Sequence, residues 1–544
     1  MGTDPEGPRA PNLLVVGAGP AGLCAAVEAR RAGASVLLVD DKDRPGGQLV
    51  KQTHMFFGSR LERAGTRGFD IARELAAEYA GLGGELSLST MVTGIYPDGT
   101  VTALRADEEL LRLEPARIVI AAGACENMLP FPGCDLPGVC GAGGLQTLMN
   151  VYGVLPGRRT LMIGAGNIGL IVAYQILQAG GDLAALVEAM PRVGGYAVHA
   201  AKIRRTGVPL LCSHSIKAAV GSGRVEKAIL VRLEDGREVP GSEFAVEVDS
   251  ICLSVGLSPL SELFFQAGCR TKYVPALGGW VPRHDAEMRT SNPVIYVAGD
   301  SSGIEEASSA MVEGRIAGRA AAASLSGGEA DFEDLRAELA ALRGGPFGRK
   351  AREGKCELLG MPFTDRADDP PPELPAGDLL PPGGRGAVIE CAERIPCNPC
   401  EQACRHGSIR VGEDINDLPA RAGSECDMCG RCLARCPGLA IFLVDTARED
   451  GRAEVTVPYE MLPVPRKGQT WWALDRDGGF LCEAEITRVR SAKSFDRKRL
   501  GSFAVGKELA GRARHVVPAG KLRKLGAVEV PAAESDVVVC RCED

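Results

Sequence analysis

An α/β fold with two nested doubly wound domains, followed by an α+β domain and a small β-rich module, is predicted from three features of the 544-residue sequence. A strand, a glycine-rich turn, a helix and a second strand follow one another over residues 13–40, and the same succession returns over residues 159–188. Eight cysteines then lie between Cys391 and Cys436. Because one hydrophobic core rarely serves more than about 250 residues, a chain of this length should contain about three or four domains.

The first unit reads LLVVGAGPAGLCAAVEARRAGASVLLVD. A G-x-G-x-x-G turn (Gly17, Gly19 and Gly22) separates a β-branched run from an Ala-rich helix, and Asp40 ends the next strand. In such a Rossmann-like unit the glycines allow a pyrophosphate to approach the helix N-terminus, and the acid accepts a hydrogen bond from a ribose hydroxyl. The spacing therefore predicts a dinucleotide site near the start of the chain.

The second unit repeats this pattern with Gly164, Gly166, Gly169 and Glu188, in a domain expected at residues 155–280. Two complete units predict two bound nucleotides. An acid at Glu188, with no arginine directly after it, favours NAD over NADP. The residues leave open that the second site holds NADP or another nucleotide without a redox role, or that it is vestigial.

The composition excludes several classes of function. The formal net charge is −8 and the chain has no long basic run, so a nucleic acid is not an expected partner. The first residues, MGTDPEGPRAPN, lack the apolar core of a secretory signal, and apolar stretches such as GLIVAYQILQAGG are too short to span a bilayer. We therefore expect a cytoplasmic protein without a membrane span, in which many of the 19 cysteines bind metal.

A Pro/Gly-rich linker is predicted over residues 331–386, on the strength of RADDPPPELPAGDLLPPGGRG at its end. A ferredoxin-like domain should follow at residues 387–448, because Cys426, Cys429, Cys432 and Cys436-Pro437 have the bacterial ferredoxin spacing. Structural zinc would leave the Cys-Pro pair unexplained. GSIRV and GLAIFLVD, after the two cysteine runs, should form its paired strands.

An earlier cysteine run, Cys391, Cys397, Cys400 and Cys404, keeps this spacing except for its first gap. In two-cluster ferredoxins the fourth cysteine of each run binds the other cluster. We therefore expect two [4Fe–4S] clusters, one held by Cys391, Cys397, Cys400 and Cys436 and the other by Cys426, Cys429, Cys432 and Cys404. The long first gap leaves a single cluster as the alternative. A β-rich module without a catalytic constellation is expected at residues 450–535.

Further motifs resemble the flavoproteins that have two dinucleotide-binding domains. The strand before Gly299-Asp300, the GGQL loop with Gly47 and Gln48, and the RIVIAAG crossing with Gly123 carry this resemblance. It implies that FAD binds a discontinuous domain of residues 1–125 and 285–330, with Asp300 on the ribityl chain. The redox cysteine pair of disulfide reductases is missing, and the isolated Cys125, Cys134, Cys140, Cys212 and Cys252 should be packing residues.

The stretch KQTHMFFGSR, the bridge FPGCDLPGVCGAGGLQTLMNVYGVLPGRRTLMIGAGNIG and the appended cysteines narrow the family. The chain resembles the larger subunit of heteromeric amine and amino-acid dehydrogenases, such as hydrogen cyanide synthase, opine oxidase, dye-linked L-proline dehydrogenase and sarcosine oxidase. The resemblance implies a partner of the D-amino-acid-oxidase type that oxidises a small amino acid, amine or hydroxy acid. Electrons would then pass through this FAD and the clusters to NAD or another carrier.

Lys51 and His54 are the candidate residues near the flavin ring, although interdomain or subunit contacts would explain them equally well. Two other functions remain open. One is a self-contained NAD(P)H:acceptor oxidoreductase of the glutamate-synthase small-subunit type, and the other is a scaffold stabilised by its nucleotides and clusters.

The last residues, 536–544, contain Cys540 and Cys542 and resemble the opening of a [2Fe–2S] module related to bacterioferritin-associated ferredoxin. Two thiolates cannot complete such a site. We expect the sequence to be truncated, or the missing ligands to come from a small partner subunit.

Overall fold

The computed structural model describes residues 10–106, 108–364, 379–423 and 426–520. It separates into two compact units. Unit 1 contains Met1–Cys125, Leu257–Asp369 and Asp414–Asn416, and unit 2 contains Glu126–Gly256, Pro370–Glu413 and Asp417–Asp544. No helix in the described ranges has the length and apolar character needed to cross a bilayer.

Helices and strands are each numbered in chain order. The first segment has α1 (Pro20–Arg31), α2 (Gly68–Gly81), β1 (Leu13–Val16), β2 (Val36–Val39), β3 (Glu85–Ser87), β4 (Thr90–Ile95), β5 (Val101–Arg105), β6 (Glu109–Leu113), β7 (Arg117–Ile120) and β8 (Ala124–Glu126). The second has α3 (Ala142–Asn150), α4 (Asn167–Gln178), α5 (Ala197–Arg204), β9 (Val139–Gly141), β10 (Arg159–Ile163), β11 (Asp182–Val187), β12 (Leu210–Leu211), β13 (His214–Val220), β14 (Lys227–Glu234), β15 (Arg237–Glu238), β16 (Phe244–Glu247) and β17 (Ser250–Leu253).

The later segments follow in the same order. Residues 257–364 have α6 (Glu262–Gln266), α7 (Ala307–Ser326), α8 (Glu333–Leu342), α9 (Arg349–Leu359), β18 (Leu257–Pro259), β19 (Thr271–Val274), β20 (Gly279–Pro282) and β21 (Ile295–Val297). Residues 379–520 have α10 (Pro399–Ala403), α11 (Arg431–Arg435), β22 (Arg385–Ile389), β23 (Ile409–Arg410), β24 (Ala420–Arg421), β25 (Ile441–Asp445), β26 (Arg452–Tyr459), β27 (Thr470–Leu474), β28 (Phe480–Arg490), β29 (Arg499–Gly506) and β30 (His515–Pro518).

Unit 1 is built on a five-stranded parallel sheet in the order β21-β7-β1-β2-β3. All four residues of β1 are buried, as expected for a strand covered on both faces. Helices α1 and α7 pack closely because α7 has glycine at the crossing: a Cβ at Gly314 would lie 2.1 Å from the Ala21 carbonyl oxygen. The last strand and α7 thus return from residues 295–326 to complete the first Rossmann-like domain.

Unit 2 contains a second parallel sheet, in the order β12-β11-β10-β17-β9. Its other large sheet is antiparallel and seven-stranded, in the order β22-β25-β26-β29-β28-β27-β30. The α/β class with two Rossmann-like domains, one inserted into the other, is therefore confirmed. Strands β22 and β25 of the predicted ferredoxin-like segment, however, belong to the same continuous sheet as the strands of the β-rich module, whereas β23 and β24 form a separate pair.

Three expectations need correction. The linker prediction is wrong for α8 and α9, which lie in its first part; Leu335, Leu339 and Leu342 are buried in the unit 1 core at helical spacing. Residues 257–280 belong to unit 1 and not to the second domain, since Val274 and Leu277 pack with Leu358 of α9. The strands after the two cysteine runs do not pair with each other: β25 pairs with β22, and β23 with β24.

Candidate functional site

The first glycine loop folds so tightly that larger residues are excluded. Gly17 has a φ of +99°, and a Cβ there would lie 2.3 Å from the Ala121 carbonyl oxygen. A Cβ at Gly22 would lie 1.7 Å from the Gly17 oxygen. Helix α1 begins directly after Gly19, and no side chain of the described residues caps it. Its first N–H groups are therefore available to an anionic group such as a pyrophosphate.

Asp40 lies beside this loop, at the end of β2. Its carboxylate accepts hydrogen bonds from Ala18 N at 2.5 Å and from Lys42 N at 2.9 Å. Burial raises the pKa of Asp40, while these two backbone hydrogen bonds oppose the rise. The acid is thus held against the glycine loop, where a ribose is expected.

The GGQL segment lies on the same loop. Gly46 N donates to the Ala18 oxygen at 2.7 Å, and a Cβ at Gly47 would lie 2.7 Å from the Gly19 Cα. Leu49 is buried and anchors the turn, whereas Gln48 is exposed. Farther along, Lys51 and His54 are half-buried, and the His54 ring stacks on Phe56 with the ring centres 5.1 Å apart.

The Gly299-Asp300 turn lies at the same edge of the sheet. A Cβ at Gly299 would lie 2.8 Å from Ala21 Cβ, and Gly123 N donates to Ser301 Oγ at 2.9 Å. Burial raises the pKa of Asp300 to about 7. The structure thus gathers the first glycine loop, Gly47, Gly123 and Gly299 at the carboxyl edge of the parallel sheet, where open α/β folds bind ligands.

Beneath the Gly299–Ser302 turn is a buried ionic network that the sequence did not reveal. Glu313 Oε2 accepts from Gly299 N at 3.1 Å and from Ser302 Oγ at 2.7 Å. Its other oxygen contacts Arg343 at 2.6 Å and Lys355 at 3.1 Å. Although burial alone would raise the pKa of Glu313, these two cations lower it well below its usual range. The network fixes the turn that carries Asp300.

His284 closes this network in its neutral form. Its Nδ1 donates to the Pro282 oxygen at 2.9 Å, and its Nε2 accepts from Lys355 Nζ at 3.3 Å. Burial, with Lys355 as the next cause, lowers the pKa of His284 to about 3. The imidazole therefore acts as a hydrogen-bond relay between two segments and carries no charge near neutral pH.

The second glycine loop, in unit 2, reproduces the first. Gly164 has a φ of +99°, and a Cβ at Gly169 would lie 2.1 Å from the Gly164 oxygen. Nothing lies within 4 Å of a Cβ at Gly166, next to the start of α4. Glu188 accepts from Ala165 N at 2.8 Å and from Met190 N at 3.0 Å. The acid thus has the same relation to its loop as Asp40 has to the first.

A segment that was not predicted from the sequence, Gly195–Ala197, covers this second loop. Gly195 N donates to the Ala165 oxygen at 2.9 Å, and Tyr196 N donates to Asn167 Oδ1 at 2.7 Å. Ala197 N then donates to Glu393 at 2.5 Å, within the first cysteine run. The motif V-G-G-Y could have been recognised as the counterpart of P-G-G-Q in the first domain.

Four cysteines from both runs line one cavity: Cys404, Cys426, Cys429 and Cys432. The Cys404 Sγ accepts a hydrogen bond from Ser408 N at 3.2 Å. His406 also lines the cavity and pairs with Asp427 at 2.9 Å. This is the grouping that the crossover of the fourth cysteine predicts for one cluster.

Three of the other cysteines, Cys391, Cys400 and Cys436, form a second, more buried group. Burial raises the pKa of Cys391, and Cys436 and Cys400 are the next causes, so the three thiols are close neighbours. The Cys436 Sγ accepts from Ala440 N at 3.4 Å, as Cys404 does from the residue four positions later. Within the described ranges, no set of three or more His, Cys, Asp or Glu side chains is arranged to hold a single metal ion. Cys540 and Cys542 lie outside the described residues.

Cys212 is disulfide-bonded, so the prediction that it serves only in packing is wrong, whereas the other cysteines in the described part of unit 2 are free. Cys140 and Cys252 are neighbours on β9 and β17. Burial raises the pKa of Cys140 to about 11 and raises the pKa of Cys252 well above its ordinary range. Both therefore favour the inert thiol over the thiolate that disulfide exchange needs.

Comparison with known proteins gives this arrangement a family. The model for "Pyridine nucleotide-disulphide oxidoreductase" matches residues 11–314. The A subunit of opine oxidase from Rhizobium meliloti (strain 1021) is 30% identical over 81% of this chain and 93% of its own length. The HcnB subunit of hydrogen cyanide synthase from Pseudomonas aeruginosa is 28% identical over 56% of this chain and 69% of its own length. L-proline dehydrogenase from P. horikoshii is 22% identical, with a TM-score of 0.49, over 62% of this chain and 60% of that one.

The family match covers more than half of the chain and includes both glycine loops. FAD and NAD(P) binding and a flavin-dependent oxidoreductase activity follow from it. The chain belongs to the pyridine nucleotide-disulphide oxidoreductase family, in the branch that contains the A subunit of opine oxidase.

Proposed function

We propose that this chain is the FAD- and iron–sulfur-bearing subunit of a heteromeric dehydrogenase for a small amino acid, amine or hydroxy acid. One observation carries the proposal: the flavin cradle has no redox cysteine pair beside it in the described residues, whereas seven of the eight cysteines with ferredoxin-like spacing fall into two groups in the same chain. An oxidoreductase of this family without the disulfide needs another route for its electrons, and the cysteine groups provide one.

The flavin would be held by the first glycine loop, Asp40, Gly47 and Asp300. Bound there, FAD supplies the exchange between two-electron and one-electron chemistry. The protein's part is to position it: the N–H groups at the start of α1 would neutralise the pyrophosphate, and the buried network under Gly299–Ser302 would fix the ribityl contact. The half-buried Lys51 and His54 remain the candidates beside the ring.

The two cysteine groups would each hold a [4Fe–4S] cluster, Cys404 and Cys436 being exchanged between the runs. Two features of the cysteines support this fit. The group around Cys404 surrounds a cavity, and both exchanged sulfurs accept a backbone N–H, as cluster thiolates commonly do. Burial raises the pKa of Cys400 to about 12, and binding of a metal centre would stabilise the thiolate that burial disfavours.

The partner would be a flavoprotein of the D-amino-acid-oxidase type that oxidises the substrate. Relatives of this chain are named as subunits, of opine oxidase and of hydrogen cyanide synthase, which supports a heteromeric assembly. The same proposal includes a small [2Fe–2S] partner that would complete a site with Cys540 and Cys542.

The test is co-expression and co-purification with a flavoprotein of the D-amino-acid-oxidase type. Dehydrogenation of a small amine, amino acid or hydroxy acid, followed by dye reduction, should require both subunits. The purified complex should contain about eight iron atoms per copy of this chain, the sum of two cubane clusters. Substrate oxidation by the partner with no reduction of the FAD on this chain would contradict the proposal.

A second function is favoured by the intact second glycine loop: a self-contained NAD(P)H:acceptor oxidoreductase. Glu188 is held by two backbone N–H groups beside the second glycine loop, where the acid of such a unit would accept from a ribose hydroxyl, and this supports NADH as the reductant. This function requires that NADH bleaches the flavin of the isolated chain and drives dye reduction without a partner. Failure of both reactions excludes it.

A further inference from the structure

Two cations of the β-rich module reach the backbone of the cysteine runs. Arg490, at the end of β28, places Nη1 3.2 Å from the Cys429 oxygen and 3.3 Å from the Met428 oxygen. Lys498, just before β29, places Nζ 2.9 Å from the Cys436 oxygen. Each cation therefore contacts a different cysteine group.

The structure makes room for Arg490. Gly430, which follows Cys429, has a φ of +82°, and a Cβ there would lie 3.2 Å from Arg490 Nη2 and 2.4 Å from Leu500 Cδ1. The Arg490 Nε is buried and makes no hydrogen bond within the described residues. A buried guanidinium nitrogen without a partner is unfavourable unless a negative group lies nearby. A cluster held by Cys429 would be such a group.

Lys498 lies deeper, with only 3% of its surface exposed. Lys202 and Arg205, from α5 and its end, lie near the same cysteine, and Arg205 Nη2 donates to the Leu439 oxygen at 3.1 Å. The acids near this group are Glu460 and Glu390. Of these side chains, Lys498 donates directly to the Cys436 backbone oxygen.

We propose that Arg490 and Lys498 are positioning residues that set the reduction potentials of the two clusters separately, Arg490 for the cluster at Cys404, Cys426, Cys429 and Cys432 and Lys498 for the other. This inference rests on the proposed function. Each reduction adds one electron to a cluster and no proton. The added negative charge is stabilised by a nearby cation, so removal of that cation lowers the potential of the adjacent cluster.

The size of the effect follows from Coulomb's law. At an effective dielectric constant of about 20, a unit charge within about 12 Å changes the reduction equilibrium roughly tenfold, which is about 59 mV for one electron. A side chain bonded to the backbone of a ligand lies well inside that range. The second cluster, farther away and separated by protein, should shift less.

The experiment is a redox titration of the full chain, reduced stepwise with dithionite and followed by electron paramagnetic resonance. Arg490→Gln should lower one midpoint potential and Lys498→Met the other, each by at least the tenfold equivalent of about 59 mV. Arg490→Lys and Lys498→Arg, which keep the charge, should restore most of each shift. Arg452→Gln is the matched control, because Arg452 lies on β26 of the same sheet and pairs with Asp450 and Glu485 at the surface.

The outcomes separate the inference from the function on which it rests. Wild-type protein with fewer than two paramagnetic centres per chain overturns the proposed function and this inference together. Two centres whose potentials stay in place in both charge-removing variants, with full iron content, overturn the inference alone. Equal shifts of both centres by one variant would also overturn it, since they would indicate a general structural effect. If Lys498→Met loses iron, the potentials of Lys498→Gln, Arg490→Gln and Arg490→Lys decide the result.

Discussion

The substitution His284→Gln tests whether the neutral imidazole beneath the Gly299–Ser302 turn makes unit 1 sensitive to acid. The pKa of His284 falls from its ordinary value of 6.5 to about 3, because the side chain is buried and faces Lys355. Glu313 and Arg343 lie in the same network. Glutamine can occupy the same space without taking up a proton between pH 5 and pH 8.

The magnitude follows from the difference between the folded and unfolded pKa. Because the folded pKa is the lower one, the unfolded chain binds the proton first, and stability falls as the pH drops from 6.5 towards 3. One pKa unit corresponds to about 1.36 kcal/mol, so His284 should cost about 1.4 kcal/mol at pH 5.5 and almost nothing at pH 7.5. Asp300, whose pKa is raised to about 7, acts in the opposite direction, so the variant must be compared with the wild type at each pH.

The assay is hydrogen exchange of peptides covering α7, corrected for the intrinsic exchange rate, at pH 5.5 and 7.5. The stability of wild type relative to His284→Gln should be lower by about 1.4 kcal/mol at pH 5.5 than at pH 7.5. Glu287→Gln, a nearby change at a partly exposed residue that pairs with Arg289 and Arg336 outside the network, should give the same difference from wild type at both pH values. A pH-independent difference for His284→Gln would refute the assignment of the acid sensitivity to this imidazole.

Three further predictions concern the flavin cradle, the second nucleotide site and the ionic network. Gly22→Ala should abolish FAD binding, because the new Cβ would lie 1.7 Å from the Gly17 backbone oxygen. In the control Gly81→Ala the new Cβ has no atom within 4 Å, so the flavin should stay bound. The absorbance of the bound flavin measures both. Glu188→Gln should raise the ratio of NADPH to NADH affinity by at least about tenfold, because contact between the Glu188 carboxylate and the 2′-phosphate of NADPH costs more than about 1.4 kcal/mol. Titration calorimetry with both nucleotides measures this ratio, and an unchanged ratio would contradict the role of the acid. Lys355→Met should destabilise unit 1 by about 3 kcal/mol, as expected when one partner of the buried Glu313 pair is removed, and faster hydrogen exchange in α7 would report it.

The parts of the molecule that could be predicted from sequence are those fixed by local spacing. The glycine loops need only a short run of residues, because a Cβ at Gly22 or Gly169 meets a carbonyl five residues earlier in the chain. The grouping of cysteines from both runs could also be predicted from their spacing. That these groups bind iron–sulfur clusters remains a prediction.

The parts that were missed depend on contacts between distant segments. Helices α8 and α9 form where Pro/Gly-rich neighbours suggested a linker, because their leucines bury against residues far away in sequence. The buried network joins residues from three separate parts of the chain, Glu313, Arg343 and Lys355, so no local sequence motif predicts it. Arg490, at the end of β28, and Lys498, just before β29, contact the cysteine loops from a segment that the sequence predicts as a separate β-rich module.

The insertion of one Rossmann-like domain into the other imposes an order on synthesis. The sheet around β10 is complete by Leu253, but the first sheet lacks β21, and α1 lacks its partner α7, until the ribosome has passed residue 326. At about 5–20 residues per second, this second half of unit 1 emerges roughly 10 to 40 s after residue 125. During that interval the alanine-rich face of α1 has no partner to cover it. The first nucleotide site is thus the first to be translated and the last to be assembled.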